Sequence, residues 1–355
     1  VLRELNETEL TSATFSSSRG IQTAVKDFVN KSVHDIYNES AEIPALHTRT
    51  TQDLTIGDAE YDFPADMRRV DFDSFSLKPR ELVTNGEFAS NINSWTTGDG
   101  SPSHTTSGNG RLNLNDAAAY QAINTTVNKT YRLQVRILSP NSSSTALIVR
   151  VGTSAGGTQN LNTTQAVTNF REGVILNTIF TATAQTSFIY LEAPSVQLDV
   201  DFVRISRNDI APRKLSYLSY DQFLQNRKPI DDVNNSSQYD TPQFIYRIPS
   251  YTAFGVSPIP NTNELAISYD YYTTHSDLSA HSDTMSLPDR FASLIVDRSK
   301  YYTYMLRSDP QHAQLADRDF QRKLRLLKTD YATKADYMRT DVIAESITTN
   351  IGAVG

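Results

Sequence analysis

The clearest hydrophobic pattern in the chain lies near its C-terminal end, in residues 287–307. Apolar side chains recur there at every third or fourth position, a spacing that places them on one face of an α-helix. Ser286 is suited to cap the start of this helix, because its hydroxyl can accept a hydrogen bond from a free backbone N–H. We predict that the helix buries this face, whose positions are Phe291, Leu294, Ile295, Tyr302 and Met305.

A second helical run follows Ser308 and extends to about residue 337. Asp309 can cap its start, and Pro310 is tolerated because it stands in the first turn. The apolar face of this run is Ala313, Ala316, Phe320, Leu324, Leu327 and Tyr331. We expect both faces to form the core of a domain; the alternative is that part of them packs against another subunit.

The N-terminal part of the chain begins with a third helical pattern, from residue 17 to a point before Pro44. The pattern then changes to the alternation of apolar and polar residues that is typical of strands. Residues 51–56 and 59–63 flank Gly57 and Asp58, and this arrangement predicts a β-hairpin. Residues 70–77 alternate again and predict a further strand.

Residues 81–206 differ in composition from the rest of the chain. They hold 7 Lys and Arg and 8 Asp and Glu, about 12% charged residues against 21% for the whole chain. No helical pattern occurs there, and short alternating runs are separated by Gly and Asn clusters. Many short strands with turns between them indicate an inserted β-sandwich.

After the insert, residues 220–224 predict a short helix, and residues 241–246, 254–260 and 264–272 predict strands, the last two joined by residues 261–263. The whole pattern predicts an α+β protein. Its helical core, with a small antiparallel sheet, is formed by residues 1–80 and 207–338 and is interrupted by an all-β sandwich at residues 81–206. Residues 339–355 form a weakly patterned C-terminal segment.

Composition narrows the class of protein. The 355 residues are 38% hydrophobic, enough for two domains with cores of their own, and no apolar run approaches the ~18 residues that span a bilayer. We therefore expect no membrane contact and a protein that is kept in the cytosol unless something else carries it out. There are no cysteines, so disulfides and thiolate metal sites are excluded. The net charge of −7 argues against general nucleic-acid binding.

Motifs for enzymatic chemistry are missing from the sequence. The six histidines are scattered without the spacing of a metal-dependent hydrolase, and neither a nucleophile elbow nor a phosphate-binding glycine loop occurs. Because the chain has 40 acidic residues, a carboxylate pair for glycoside hydrolysis remains an alternative. We expect a protein that is not an enzyme and has no cofactor.

Several short motifs stand in a fixed order on either side of the insert: residues 61–64, 69–72, 242–246, Gly255 with 258–260, 269–272 and 287–291. In order and spacing they resemble the head-to-tail adaptor family of tailed bacteriophages, which includes the tail tubular protein A of short-tailed phages. The resemblance covers residues 17–79 and 212–338. It implies a structural virion protein that is assembled in the host cytoplasm.

The resemblance also implies partners. Such adaptors form a ring, commonly of twelve subunits, beneath the portal and above the tail nozzle, with genomic DNA passing through without sequence-specific binding. The helices form the ring around the channel, and the C-terminal segment reaches the portal. Carried onto this chain, the portal-docking residues are Tyr337, Met338, Arg339, Ile343, Ile347 and Ile351. A frayed terminus is the alternative interpretation of this segment.

The insert resembles carbohydrate-binding-module-like jelly rolls in residues 82–88, Trp95, 119–123, 129–133 and 199–204. This resemblance implies sugar binding through exposed aromatic rings and a structural calcium. Trp95 and Tyr120 are the candidates for stacking on a glycan, and Glu87 and Asp201 for binding calcium. The alternatives are that Trp95 closes the core and that the two carboxylates are solvated surface groups.

A basic concentration lies on the second predicted helix, and the ring and channel candidates in it are Arg318, Arg322, Arg325 and Lys328. One interpretation is a channel or portal contact near DNA phosphates, and the other is a solvated helix face with acidic neighbours. Two functions remain open. The first is an adaptor whose outward-facing insert contacts a fibre or spike, the nozzle or a host glycan. The second is a monomeric sugar-binding protein that acts through the sandwich.

Overall fold

The computed structural model describes residues 1–331 except 4–6, 40–43, 107–109, 139–144, 168–172 and 286–287. The helices in these residues are α1 (Ile21–Glu39), α2 (Tyr220–Asn226), α3 (Ala292–Leu306) and α4 (Pro310–Tyr331). The strands before the sandwich are β1 (His47–Asp53), β2 (Glu60–Asp62), β3 (Met67–Val70) and β4 (Ser76–Pro79). Those of the sandwich are β5 (Thr96–Asp99), β6 (Ser103–Thr105), β7 (Arg111–Asn124), β8 (Thr130–Leu138), β9 (Thr145–Gly152), β10 (Leu161–Val167), β11 (Val174–Thr181) and β12 (Thr186–Arg207). The last strands are β13 (Arg213–Lys214), β14 (Ser216–Leu218), β15 (Phe244–Arg247), β16 (Ala253–Ser257) and β17 (Leu265–Thr273).

Contacts divide the chain into two compact units. The helical unit holds Val1–Arg49, Pro64–Asp71 and the residues from Asp270 onward, and the β-rich unit holds Thr50–Phe63 and Phe72–Tyr269. This division groups the sandwich with the short strands on either side of it. The predicted domain limits at residues 80, 206 and 338 are a different division and stay a proposal.

The core of the helical unit is formed by α1, α3 and α4. Arg298 on α3 ties the helices together: its guanidinium donates to Asp35 of α1 at 2.7 Å and to Asp317 of α4 at 2.9 Å. The apolar core around these helices consists of Val33, Ile36, Tyr37, Leu46, Phe291, Leu294, Ile295, Phe320, Leu324 and Leu327.

The predicted face of α3 is confirmed at Phe291, Leu294 and Ile295 and is wrong at Met305. Tyr302 is half-buried, whereas Met305 in the last turn is 52% exposed. Small polar side chains contribute to the contact with α1 near that end: Ser299 hydrogen-bonds Ser32 of α1 at 3.0 Å, and both Ser299 and Thr303 are fully buried. An apolar stripe does not reveal such a contact. The predicted cap Ser286 lies outside the described residues.

The predicted face of α4 is confirmed. Ala313, Ala316, Phe320, Leu324 and Leu327 are all buried, and the side chain of Tyr331 lies outside the described residues. Asp309 accepts a hydrogen bond from the backbone N–H of His312 at 3.3 Å, as expected for a cap directly before Pro310. The helix predicted after residue 17 is confirmed as α1.

The predicted hairpin is wrong. β1 pairs with β17 in a five-stranded sheet of order β1-β17-β4-β13 with β3 on β17, and β2 pairs with β16 in a four-stranded sheet of order β14-β15-β16-β2. The segment between β1 and β2 passes from one sheet to the other. Leu54 is fully buried there, its backbone N–H donates to Leu265 O at 2.9 Å, and the backbone N–H of Gly57 donates to Pro260 O at 3.1 Å. β16 and β17 likewise lie in different sheets, and the strand predicted at residues 70–77 is interrupted by a 3₁₀ turn at Phe72–Ser74.

The insert is an antiparallel jelly-roll sandwich of β5–β12, so the predicted α+β class with an all-β insert is confirmed. The strand β12 has 22 residues and pairs with three other strands of the sandwich. Its register shifts at Ala193/Gln197 and at Val200/Phe202. Its first half pairs with β9 and β7, and its second half pairs with β8 and β7. Alternating residues of β7, β8, β9 and β12 fill one apolar core.

A buried polar network joins the sandwich to the strand pair of β4 and β17. Glu264, directly before β17, is 6% exposed and accepts hydrogen bonds from the Tyr131 hydroxyl, from Thr126 at 3.2 Å and from Arg207 at 2.7 Å. Arg207 also donates twice to Asp209, each time at 2.7 Å. Burial, together with the hydrogen bond to Glu264, raises the pKa of Tyr131 to about 12. The sandwich is therefore fixed to the adjoining strands by satisfied buried charges.

Candidate functional sites

The outward face of α4 carries the basic residues predicted for the ring or channel. Arg318, Arg322 and Arg325 are exposed. Arg322 lies 3.5 Å from Asp319, and Lys328 lies 3.4 Å from Glu39 of α1, both as exposed pairs. Arg318 and Arg325 have no ion-pair partner in the part of the chain that the structure describes. Their charges remain available to a ligand or a neighbouring molecule.

Lys323 belongs to the same basic run but has a different environment. Its ammonium group forms an ion pair with Asp297 of α3, which is 8% exposed. A buried carboxylate needs such a partner, so Lys323 stabilises the packing of α4 on α3 rather than offering charge to solvent. The basic run is thus divided into one structural lysine and an exposed set.

Two exposed leucines stand among these arginines, and the sequence pattern did not single them out. Leu315 is 50% exposed and Leu326 is 61% exposed. Positions 315, 322 and 326 are separated by seven and four residues, so they share one face of the helix, opposite to its buried face. The signal in the sequence that could have identified them is that both leucines lie outside the predicted apolar face of α4.

Trp95 lies in the sandwich core, and its predicted role in stacking on a glycan is corrected. The side chain is 7% exposed, its ring centroid is 5.5 Å from that of Phe88, and its indole N–H donates to Asn85 O at 3.4 Å. Trp95 directly precedes β5, and other residues of the sandwich core pack against its ring. The alternative interpretation, a Trp that closes the core, describes its position.

Tyr120 lies on the outward side of the sheet, half-buried, and its neighbour across the strand pair is Tyr190. The two ring centroids are 6.3 Å apart with an interplanar angle of 17°. Phe188 extends the aromatic surface at 6.2 Å from Tyr120. Gly98 on the neighbouring strand leaves room for the Tyr190 ring, because an added Cβ would meet the ring at 2.6 Å.

Charged groups adjoin this aromatic surface. On β9, Arg150 stands beside Tyr190 in the sheet, places its guanidinium carbon 5.6 Å from the ring centroid and pairs with Glu192 at 2.6 Å. Burial raises the pKa of Tyr190, and the nearby Glu192 carboxylate acts in the same direction. Parallel rings beside hydrogen-bonding groups can bind a planar or ring-shaped polar ligand. The sequence did not indicate Tyr190, because cross-strand partners 70 residues apart are set by register.

The predicted calcium ligands have other partners. The Glu87 carboxylate lies 2.8 Å from the guanidinium of Arg204, and Asp201 lies 3.0 Å from Arg136 and 3.7 Å from Arg111. Within the described residues no group of three or more His, Asp or Glu side chains could hold a metal ion. The arginines neutralise both carboxylates, so their geometry does not fit the predicted calcium site. The portal-docking residues Tyr337, Met338, Arg339, Ile343, Ile347 and Ile351 lie outside the described residues and stay a prediction.

None of the helices in the described part of the chain is long and apolar enough to cross a membrane. A search of curated proteins found no match. The family model of the SU10 adaptor protein matches residues 155–343, more than half of the chain. The match begins inside the sandwich and includes β13–β17, α3 and α4.

Three solved structures that are similar to this chain each match 38% of it or less. The CBM22-1 xylan-binding domain of Paenibacillus barcinonensis Xyn10C has a TM-score of 0.29 and 14% identity, over 38% of this chain and 97% of that domain. The C-terminal family 22 carbohydrate-binding module of Clostridium thermocellum Xyn10B has a TM-score of 0.30 and 16% identity, over 37% and 96%. For the enzymatically active domain of tailspike protein 4 of bacteriophage CBA120 the TM-score is 0.29 and the identity 15%, over 36% of this chain and only 21% of that one.

Proposed function

Because the chain belongs to the SU10 adaptor protein family, a family of phage virion components, we propose that it is the structural head-to-tail connector of a tailed phage. Twelve copies form a ring between the portal and the tail nozzle, around the channel through which DNA leaves the head. The ring is assembled in the host cytoplasm. The observation that carries this proposal is the family match across β13–β17, α3 and α4.

The exposed face of α4 supports a contact between subunits. Leu315 and Leu326 are large apolar side chains exposed on a helix that already buries a complete apolar face in its own unit. Exposed apolar groups on one face are typical of surfaces that another protein covers. In the ring, this face packs against the neighbouring copy.

The arginines beside these leucines support a position near the DNA channel. Arg318 and Arg325 are exposed on adjoining sectors of the same helix, so they can face the channel while the leucines face a neighbour. Phosphate attraction of this kind is weak and salt-dependent, which suits a conduit that releases its DNA.

The C-terminal segment is the proposed portal-docking arm. Ile343, Ile347 and Ile351 recur every fourth residue and form an apolar line if the arm becomes helical on the portal. Replacing all three by Ser should abolish capture by immobilised portal, while Ile230→Ser, at an exposed loop position, should leave it intact. Equal capture of both variants would exclude the arm as the docking element.

A second candidate function is sugar binding by the sandwich, either on the assembled virion or in a monomeric protein. Tyr120 and Tyr190 supply parallel rings, and Arg150 and Glu192 supply hydrogen-bonding groups beside them. On a glycan array the wild type should bind and Tyr190→Ala should lose the signal, whereas Ile179→Ala, at an exposed position on β11 outside this aromatic surface, should keep it. Without binding by the wild type, the insert serves fibre or nozzle contact instead.

The connector function is tested most simply in the phage itself. Phage that lack this protein should accumulate DNA-filled heads without tails, and a plasmid-borne copy should restore tailed particles. Tailed particles formed in its absence would refute the connector role.

A further inference from the structure

The edge of the sandwich at β11 is open. In the described part of the chain β11 pairs with β8 alone, in an unbroken antiparallel register from Val174 opposite Ile137 to Thr181 opposite Thr130. Among the described residues, no strand pairs with the other side of β11, which presents backbone N–H and C=O groups along its eight residues.

The strand β11 itself lacks the features that normally protect an exposed edge. Proteins usually block an exposed edge with charged residues, proline, a bulge or a very short strand. The sequence of β11 contains no charged residue and no proline, and its register has no shift. In addition, Ile175 is 57% exposed and Ile179 is 50% exposed, both on the outward side, while Leu176 and Phe180 point into the core.

The order of residues in β11 favours a second copy of this chain as the occupant of this edge. When two copies pair antiparallel with Asn177 opposite the partner's Asn177, Ile175 falls opposite the partner's Ile179 and Ile179 opposite the partner's Ile175. Four isoleucines then cover one another on the outward side, with the two amides between them. Directly opposed side chains of this kind stabilise antiparallel pairs.

We propose that two copies of this chain pair through β11 in solution, so that the sheet continues across the two sandwiches. The contact is two-fold, and a two-fold contact does not repeat around a ring of head-to-tail contacts. β11 pairing therefore belongs to the unassembled protein and is independent of the proposed connector function.

Cysteine cross-linking tests the register, because the chain contains no cysteine of its own. In the proposed dimer residue 177 is its own neighbour, with Cα atoms about 4.5–5.5 Å apart, a distance that a disulfide can span. Asn177→Cys should form a covalent dimer on mild oxidation at least tenfold faster than Thr181→Cys, since residue 181 of the two copies would lie about 26 Å apart. Equal rates for the two variants would overturn the proposal.

Sedimentation velocity tests the contact itself. The wild-type protein should form a species of twice the 39.7 kDa chain mass as its concentration rises. The double variant Ile175→Lys with Ile179→Lys should stay at the chain mass, and the control Ile230→Lys, at a loop position that is 53% exposed, should behave as wild type. A wild type that remains at the chain mass, or larger species that the double variant leaves unchanged, would refute β11 pairing. The portal should still capture the double variant, because β11 pairing is independent of the connector function. Failure of one proposal can therefore be distinguished from failure of the other.

Discussion

Trp95 and Tyr120 are both aromatic residues of the insert, yet they differ in environment. Trp95 is 7% exposed within the core, while Tyr120 lies on the outward side beside Tyr190. Both were predicted as stacking candidates because the resemblance to carbohydrate-binding modules draws on residue type and order, and a Trp95 that closes the core was the alternative. Which ring is covered depends on the folding of the segment before β5 over the core, and local sequence does not encode that packing.

Replacing Trp95 by Ala should lower the free energy of unfolding by about 3–5 kcal/mol, because it removes a large buried side chain and leaves a cavity. Tyr120→Ala, at a half-exposed position, should lower it by less than about 1.5 kcal/mol. Denaturant titration followed by circular dichroism measures both, since Trp95 is the only tryptophan and its removal abolishes that fluorescence. Equal losses for the two variants would contradict the burial of Trp95.

Asp270 gives a prediction for pH. The hydrogen bond from Arg49, at 2.6 Å, holds the pKa of Asp270 below its usual value, and the Arg49 charge acts in the same direction. Because the folded state favours the carboxylate, this contribution to stability is present above the unfolded-state pKa of about 4 and is lost as pH falls through the lower folded-state pKa. Arg49→Gln should therefore reduce stability at pH 7, with a difference that shrinks as the pH falls below the unfolded-state pKa and disappears once Asp270 is protonated in the folded state as well. A pH-independent difference would contradict the pairing, and Arg318→Gln serves as the unpaired control.

At the scale of elements, local pattern predicted the helices well and the pairing of strands poorly. The helical pattern of α1 and the Asp309 cap and apolar face of α4 are local features, so α4 begins at Pro310 as predicted and buries its stripe. The hairpin of β1 and β2 was wrong because their partners, β17 and β16, are about 200 residues away in sequence. Alternation identifies a strand without identifying its neighbour.

The ion pair between α4 and α3 can be separated from the exposed charges of α4. Lys323→Met leaves Asp297 buried without a partner, and we expect a loss of about 3–5 kcal/mol in the free energy of unfolding. Arg325→Met removes an exposed charge from the same helix and should change stability by no more than about 0.5 kcal/mol. Chemical denaturation distinguishes the two, and a small effect of Lys323→Met would mean that Asp297 is solvated.

The connection between the sandwich and its adjoining strands depends on Glu264. Glu264→Ala removes the shared acceptor of Tyr131, Thr126 and Arg207, so we expect a loss of about 3–5 kcal/mol in unfolding free energy. Glu87→Ala breaks an exposed pair with Arg204 and should cost no more than about 1 kcal/mol. Thermal unfolding of the two variants measures the difference. Equal melting temperatures would mean that the network does not fix the sandwich.

At the scale of the whole molecule, the family could be predicted from the sequence, because the order of short motifs around α3 and α4 falls within the region that the family model matches. The exposed leucines on α4 and the tyrosine pair of the sandwich could not be predicted, since both depend on which faces the fold leaves uncovered. Residues 17–79, which also carry the resemblance, lie outside the matched region. The chain thus belongs to the adaptor family and contains a β-sandwich.

The most direct test of the connector is electron microscopy of the purified protein mixed with the portal of its phage. We predict rings of twelve copies stacked coaxially on the portal, and their loss in the variant Leu315→Lys with Leu326→Lys, while Ile230→Lys forms them normally. A monomeric protein that never joins the portal, at any ratio of the two components, would contradict the connector function.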